Sequence, residues 1–378
     1  MTNNSTLPVA NRILVYRLGQ LGDTLVALPS LVAIRKQFPT AHIALLSSFH
    51  ISHDRVAPQH VIPNGLIDEW LTYESSDAGF KAIEMARLLV RLRKKKFDML
   101  VYLAPRIRPA NDVRRDLLFF RSAGMKSIIG DAGFEVMPAR RPEGLPCVVH
   151  EADHLLNRLA LSGIEVPKSN GNQMGLAITS DEQREADDWL RRNVTTDHAG
   201  PLVGFAPASK WPSKVWPEER FVDVGESLIR SKNIFPIVFG GSEDHELGER
   251  LLKIWGRGAN AAGQLSVRPA AAALSRCQLY VGNDTGTMHL AAAVKTRCVA
   301  IMSALDWPGH WNPYGEGHVV LRRTVPCEGC LLQFCDKEGL RCLKEISVDA
   351  VVEACAHLLE GLSKESLLES SSYFQTVG

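Results

Sequence analysis

The stretch NDTGTMHLAAA, residues 283–293, crowds Asp284, Gly286 and His289 into the junction between an apolar run, QLYVG, and an Ala-rich helical stretch. Amides at the start of a helix and its positive dipole end hold a phosphate, and a glycine lets the backbone approach it closely. His289 falls about one turn inside such a helix. Alone it reads as a satisfied core histidine, but with Asp284 and Gly286 beside it the group reads as a diphosphate contact.

Other loops carry similar chemistry. In RLGQLGD (17–23) two glycines stand three residues apart and Asp23 sits at or just before a helix start. Asp23 is either the cap of that helix or an exposed carboxylate base that takes a proton from an incoming hydroxyl. GFAPASKWPSKVWPEERF (204–221) gathers Ser209, Lys210, Ser213 and Lys214 ahead of a helix that Pro217 starts. Hydroxyls, ammonium groups and a helix N-terminus together make an anion site, against the plainer alternative of two solvated lysines. VFGGSEDHE (238–246) places Glu243 where a ribose hydroxyl finds its acceptor, or else Glu243 and Asp244 simply favour the helix dipole.

Two clusters stand apart from these. RIRPANDVRR (106–115) offers Arg106, Arg108, Arg114 and Arg115, whose forked guanidinium groups suit the phosphates or carboxylates of an anionic, lipid-linked acceptor. Such an acceptor would bring the protein to the inner face of a membrane without insertion. RLRKKK (91–96) reads as the basic end of a helix. Cys327, Cys330, Cys335 and Cys342 fall within sixteen residues and read either as a structural metal site or as reduced or redox-paired thiols, outside the reaction in both cases. Cys147, Cys277, Cys298 and Cys355 read as small buried hydrophobes, which fits a reducing, cytosolic compartment.

The elements that must position these loops follow from periodicity. RILVYRL, HIALLSS, FDMLVYLA and KSIIG are apolar runs alternating with helical stretches, and PLVGFAPA, FPIVFGG, QLYVG and CVAIMSA repeat the pattern further on. That alternation predicts an α/β protein of two doubly wound halves with parallel sheets. A chain of 378 residues is long enough for two cores. GIEVPKSNGNQMG (163–175) reads as the linker, giving domains over 1–170 and 180–346, and 347–378 as a C-terminal helix with a polar tail. Ser180 and Gln183 are expected to form a capping box where the second half opens. With 43 basic against 42 acidic residues, no overall field recruits nucleic acid. The polar start of the chain does not read as a secretion signal, and no apolar run reaches the roughly 18 residues of a membrane span. Neither the common dinucleotide fingerprint nor a P-loop occurs.

RLGQLGDTLVALPSLVAIRKQFP, the SKVWP loop, VFGGSED and NDTGTMHLAAA, in that order and spacing, resemble glycosyltransferase family 9, the family of the ADP-heptose lipopolysaccharide heptosyltransferases. The resemblance covers roughly residues 12–355. It implies a GT-B fold, two Rossmann-like domains facing across a cleft, the first binding acceptor and the second nucleotide sugar. It also implies an inverting reaction without metal or other cofactor. By the same match Asp23 takes the place of the catalytic base and Lys214 that of the lysine on the donor phosphates. Glu243 becomes the acid near the nucleoside, and Asp284, Thr285, Gly286 and His289 the donor segment. Ser209 falls where the family carries hydroxyls against the phosphate.

The expected function is therefore transfer of a sugar, heptose from an ADP-heptose-type donor, onto a lipopolysaccharide core or related glycan. The enzyme would be cytoplasmic, in peripheral contact with the membrane face. Alternatives are a nucleotide-sugar epimerase of the same fold, or a protein that binds nucleotide sugar without turning it over. The loop ALDWPGHWNPYGEGH (304–318), with Trp307, His310 and Trp311, is expected to shape the sugar or base pocket.

Overall fold

The computed structural model describes residues 10–49, 56–74, 82–135, 137–167, 174–194, 200–336 and 338–361. The chain forms two compact units. The first comprises residues 1–138, 149–170 and 174–176, and the second 139–148, 171–173 and 177–378. The excursion through 139–148, which belongs to the second unit, was not expected from the sequence. Residues 168–173 of the anticipated linker and the tail from 362 onward lie outside the described residues.

The first unit is built from β1 (Arg12–Tyr16), α1 (Leu21–Gln37), β2 (His42–Phe49), β3 (Glu69–Glu74), α2 (Ala82–Lys95), β4 (Met99–Tyr102), α3 (Ala110–Ser122), β5 (Ser127–Ile129) and α4 (Glu151–Leu161). Its strands are parallel in the order β3-β2-β1-β4-β5. β4 is buried at every position and β1 at all but its first, as a strand covered by helices on both faces must be. Leu14, Tyr16, Leu46, Leu100, Tyr102 and Phe120 share the core. The order reverses between β1 and β4, and open parallel sheets take ligands at the carboxyl ends of strands around such a point.

The second unit repeats the plan. It contains α5 (Ser180–Asn193), β6 (Leu202–Ala206), α6 (Glu218–Lys232), β7 (Phe235–Val238), α7 (His245–Trp255), β8 (Ala259–Asn260), α8 (Val267–Leu274), β9 (Leu279–Asn283), α9 (Gly286–Ala293), β10 (Cys298–Met302), β11 (Val319–Arg322), α10 (Arg341–Lys344) and α11 (Val348–Leu359). The parallel order is β11-β10-β9-β6-β7-β8, so the reversal lies between β6 and β9. Phe205, Trp216, Phe221, Leu251, Val281 and Ile301 pack in one core, which α11 completes through Val351, Ala354, Cys355 and Leu358.

The capping box of α5 sits one residue earlier than expected. Thr179 is the N-cap, its hydroxyl accepting from the Glu182 N–H at 3.3 Å, while the Glu182 carboxylate accepts from the Thr179 N–H at 2.8 Å. A threonine with a glutamate three residues on satisfies both end amides, which the Ser180–Gln183 pair, already inside the helix, cannot do. Among the described residues no helix is long and apolar enough to cross a membrane.

Candidate active site

The loop after β6 is fixed from beneath by one residue. Asn283, the last residue of β9, has no exposed surface; its side-chain N–H donates to the Pro207 carbonyl at 2.7 Å and its carbonyl accepts from the Trp216 N–H at 3.1 Å. The two ends of the loop are thereby clamped to the strand next door. Trp216 is fully buried and its indole N–H donates to the carbonyls of Leu343 and Ile346. Ser213 is buried as well, with its hydroxyl donating to the Leu332 carbonyl at 2.6 Å and its N–H to the Gln333 carbonyl at 3.1 Å. Ser213 thus holds the loop in shape, and the hydroxyl beside the candidate anion site belongs to Ser209, which accepts from the Trp211 N–H at 3.5 Å.

What the clamp presents is Lys214. Its ammonium lies 2.6 Å from a carboxylate oxygen of Asp284 and 5.7 Å from the centre of the Trp211 ring. Asp284 is buried, and Lys214 is about one-fifth exposed. A lysine ammonium has three donors, and the Asp284 contact orients them. Thr285, with extended backbone, is the N-cap of α9, and Gly286 is its first residue. The first amides of a helix have no partner within it, so Lys214 and the positive end of α9 meet at one point, the reversal between β6 and β9. Thr287 shares a hydrogen bond with the Tyr280 hydroxyl at 3.1 Å, and His289, buried, sets its ring edge-on to Trp311 at 6.1 Å between centres.

Beyond β7 a 3-10 turn (Ser242–Asp244) carries Glu243, which is exposed, and Asp244, whose carboxylate accepts from the Gly241 N–H at 2.8 Å. Burial raises the Asp244 carboxyl above its ordinary range, against the Gly241 hydrogen bond and the nearby charge of Lys210. The Gly240–Gly241 pair makes room for these acids: a Cβ on Gly241 would stand 2.2 Å from the Glu243 carboxylate.

In the first unit Asp23 occupies the third position of α1. One of its oxygens accepts from the Gln20 N–H at 2.8 Å, so the capping role is real. The other lies 3.5 Å from Arg17, and the side chain is about one-quarter exposed. One oxygen of this carboxylate thus closes the helix end while the other faces Arg17. Gly19 has φ +125°, and a Cβ there would stand 2.1 Å from Asp23 Cγ, so only glycine allows the carboxylate to fold back over the loop. Arg17 is buried. It donates to the carbonyls of Leu103 (2.8 Å) and Asp23 (3.0 Å) and pairs at 3.5 Å with Glu151, which has no exposed surface. A small recess beside this group is lined by Arg17, Gly19, Thr24, Leu45, Ser47 and Ile62 among others.

The four arginines separate. Arg108 forms a fork on buried Asp116 (2.6 and 2.9 Å), which also accepts from the Tyr102 hydroxyl; burial opposes the guanidinium charge, but the fork outweighs it and holds Arg108 more firmly protonated than usual. Arg106 is buried and lies 3.3 Å from Glu135. Arg114 and Arg115 are exposed on α3, with Arg115 paired to Asp112 at 3.0 Å. The four cysteines are free thiols. Cys335 Sγ accepts from the Leu340 N–H at 3.3 Å, and burial, then the neighbouring thiols Cys330 and Cys342, push the Cys327 thiol up. Among the described residues no group of three or more His, Cys, Asp or Glu side chains could hold a metal ion.

Arg17, Glu151, Asn283 and Asp306 escaped the sequence reading as site residues. All but Glu151 lie inside quoted stretches, yet nothing in their spacing shows that Arg17 is buried under Asp23 or that Asn283 reaches across to another strand. Asp306 organises the loop after β10: its carboxylate accepts from the Trp307 N–H (2.7 Å) and the Trp311 indole N–H (3.0 Å), and lies 3.0 Å from His310.

Comparison with known proteins bears on the family and the fold. Lipopolysaccharide heptosyltransferase 2 of Salmonella typhimurium is 33% identical over 109 residues, 27% of this chain and 30% of that protein, so the match spans under a third of the relative's length. The crystal structure of a glycosyl transferase family 9 protein from Veillonella parvula superposes with a TM-score of 0.69 at 23% identity, covering 94% of this chain and 99% of that one. The E. coli ADP-heptose lps heptosyltransferase II superposes with a TM-score of 0.61 at 21% identity, covering 92% and 98%. These likenesses identify the fold as the GT-B class, with two Rossmann-like units. Residues 122–340, more than half of the chain, match the sequence model of glycosyltransferase family 9 (heptosyltransferase). The chain belongs to glycosyltransferase family 9.

Proposed function

We propose that this chain transfers a heptose from an ADP-heptose-type donor to a hydroxyl of a lipopolysaccharide core or related glycan. The observation that carries the reading is the Lys214–Asp284 pair at the N-terminus of α9, set where the strand order reverses. The names of the E. coli and Salmonella relatives supply the donor and acceptor classes.

In this reading the second unit holds the donor. Lys214 and the amides of α9 take the diphosphate, with the hydroxyls of Ser209 and Thr285 as further donors, Gly286 giving the phosphate close access to the backbone and Asp284 and His289 completing the segment. Glu243 receives a ribose hydroxyl. The first unit holds the acceptor, and the exposed Arg114 and Arg115 suit its phosphates or carboxylates, while Arg106 and Arg108, already paired with acids of the chain, order the loop before α3. Asp23 removes the proton of the attacking hydroxyl as its oxygen bonds to the anomeric carbon. The bond from that carbon to the diphosphate breaks, and the negative charge that develops meets Lys214 and the helix end. A single displacement of this kind inverts the anomeric centre and draws its positive charge from the protein without a metal. A glycolipid acceptor would place the enzyme at the cytoplasmic face of the membrane by peripheral contact.

The test is a transfer assay with ADP-heptose and a core-glycan acceptor, with the product's anomeric configuration read by NMR. Inverted product that forms only when both substrates are present is the expected result. Retained configuration would remove the single-displacement mechanism, donor turnover without acceptor would favour epimerisation, and binding without turnover would leave a non-catalytic protein.

A further inference from the structure

The strand order β11-β10-β9-β6-β7-β8 sets the ligand-bearing loops of the second unit in a row. Glu243 follows β7, Lys214 follows β6, Asp284 to His289 follow β9, and the loop 303–318 follows β10. A nucleotide sugar is a linear molecule: nucleoside, diphosphate, sugar. Resting on the donor reading above, with the nucleoside beyond β7 and the diphosphate at β6 and β9, the next place along the row is the end of β10. We propose that Trp311, held by Asp306, forms the wall of a subsite there for the sugar ring that is transferred.

The side chains at that place are built to hold one aromatic ring. Asp306 gathers the Trp307 N–H, the Trp311 indole N–H and the His310 ring around one carboxylate, and its backbone carbonyl accepts from Arg322 of β11 at 3.1 Å. His310 is fully buried and lies 4.7 Å, ring centre to ring centre, from Trp311. Trp311 itself is half-buried, and its ring meets His289 at 74°. Gly309, at φ +87°, lets this turn approach the backbone of Val148, whose carbonyl oxygen would stand 2.4 Å from a Cβ there. The indole is thus fixed by its N–H, backed by one imidazole and joined through His289 to the helix that takes the phosphate. Trp combines a broad apolar face with a polar handle, and the C–H-rich face of a pyranose is the part of the donor that such a surface fits. Asp306 is a positioning residue, since it acts through the indole.

Calorimetric titration of ADP and of ADP-heptose into the wild-type chain and its variants separates the sugar from the nucleotide. Trp311→Ala is expected to weaken ADP-heptose about tenfold and ADP less than about twofold. Asp306→Asn should give the same split at about threefold, and Trp311→Phe, which keeps an aromatic face, should stay near wild type. If Trp311→Ala does not fold, the Asp306→Asn split carries the test. Equal weakening of both ligands, or no weakening of either while wild type binds them, overturns the subsite alone. A wild-type chain that binds neither overturns the donor reading and the subsite with it.

Discussion

Asp23 shows why residue roles need separating by substitution. One oxygen closes the N-terminus of α1 and the other lies near Arg17, so alanine would remove the cap together with the proposed base. Asparagine keeps an acceptor oxygen for the Gln20 N–H. Asp23→Asn should therefore keep the thermal midpoint close to wild type while turnover falls about 10²- to 10⁴-fold and ADP binding is retained; transfer at wild-type rate would end the base assignment. For Lys214 the expectation differs, because in the proposed reaction its charge faces the leaving group. Lys214→Ala should lower kcat by about 100-fold, equivalent to about 3 kcal/mol of barrier, and weaken ADP as well. An unchanged kcat with weakened ADP would make Lys214 a ground-state contact only.

Among the elements, packing between helices and edge strands is what single substitutions should expose. Gly225 of α6 lies against Trp255 of α7, and a Cβ there would stand 2.2 Å from the indole, whose N–H donates to Val222. Gly225→Ala should cost about 1–3 kcal/mol by overpacking, in spite of alanine's better helix propensity, and calorimetry would show a lower unfolding midpoint. His318, just before β11, accepts from the Cys298 N–H of β10 at 3.1 Å. The protein packed around it pulls its pKa down to about 4, against a hydrogen bond to the Tyr314 backbone. The unfolded chain binds the proton near the ordinary value of about 6.5, so between the two values it carries more protons than the folded chain and stability rises with pH. The contribution is complete above about 6.5 and is lost as pH falls toward about 4. Urea unfolding should show that slope, and His318→Gln should flatten it; an equal slope in the variant would assign it to other groups.

At the scale of the whole molecule, the excursion 139–148 is sewn into the second unit by Glu328. This carboxylate, almost wholly buried, accepts from the Leu145 N–H at 2.5 Å, pairs with Arg322 at 3.0 Å and lies 3.9 Å from Arg140. Glu328→Ala leaves Arg322 and the Leu145 amide without it, and such a loss costs about 3–5 kcal/mol. Earlier proteolytic cleavage within 139–148 is the expected readout; cleavage at the wild-type rate would show that other contacts hold the segment. The sequence could not announce this stitch. Glu328 lies between two cysteines of a motif that drew attention for its thiols, and its partners come from more than a hundred residues away as well as from the next strand.

What the amino-acid sequence determined by itself is the local plan. Buried parallel strands read as continuous apolar runs, helices between them keep their own period, and loops at strand ends show glycines, acids and lysines in small compass, so the α/β class, the two halves and the four motifs were legible. The edge strands β3, β8 and β11 were missed: β8 has two residues and β11 four, and β3 is buried at only two of its six positions. Only the tertiary structure decided the strand order, which puts the β6 and β9 loops side by side and brings Lys214 to Asp284. It also decided the Asn283 clamp, the burial of Arg17 between Asp23 and Glu151, and the use of Ser213 as a brace. Periodicity is a property of neighbours along the chain, whereas pairing between distant strands depends on how whole faces bury together, and no single stretch records that choice.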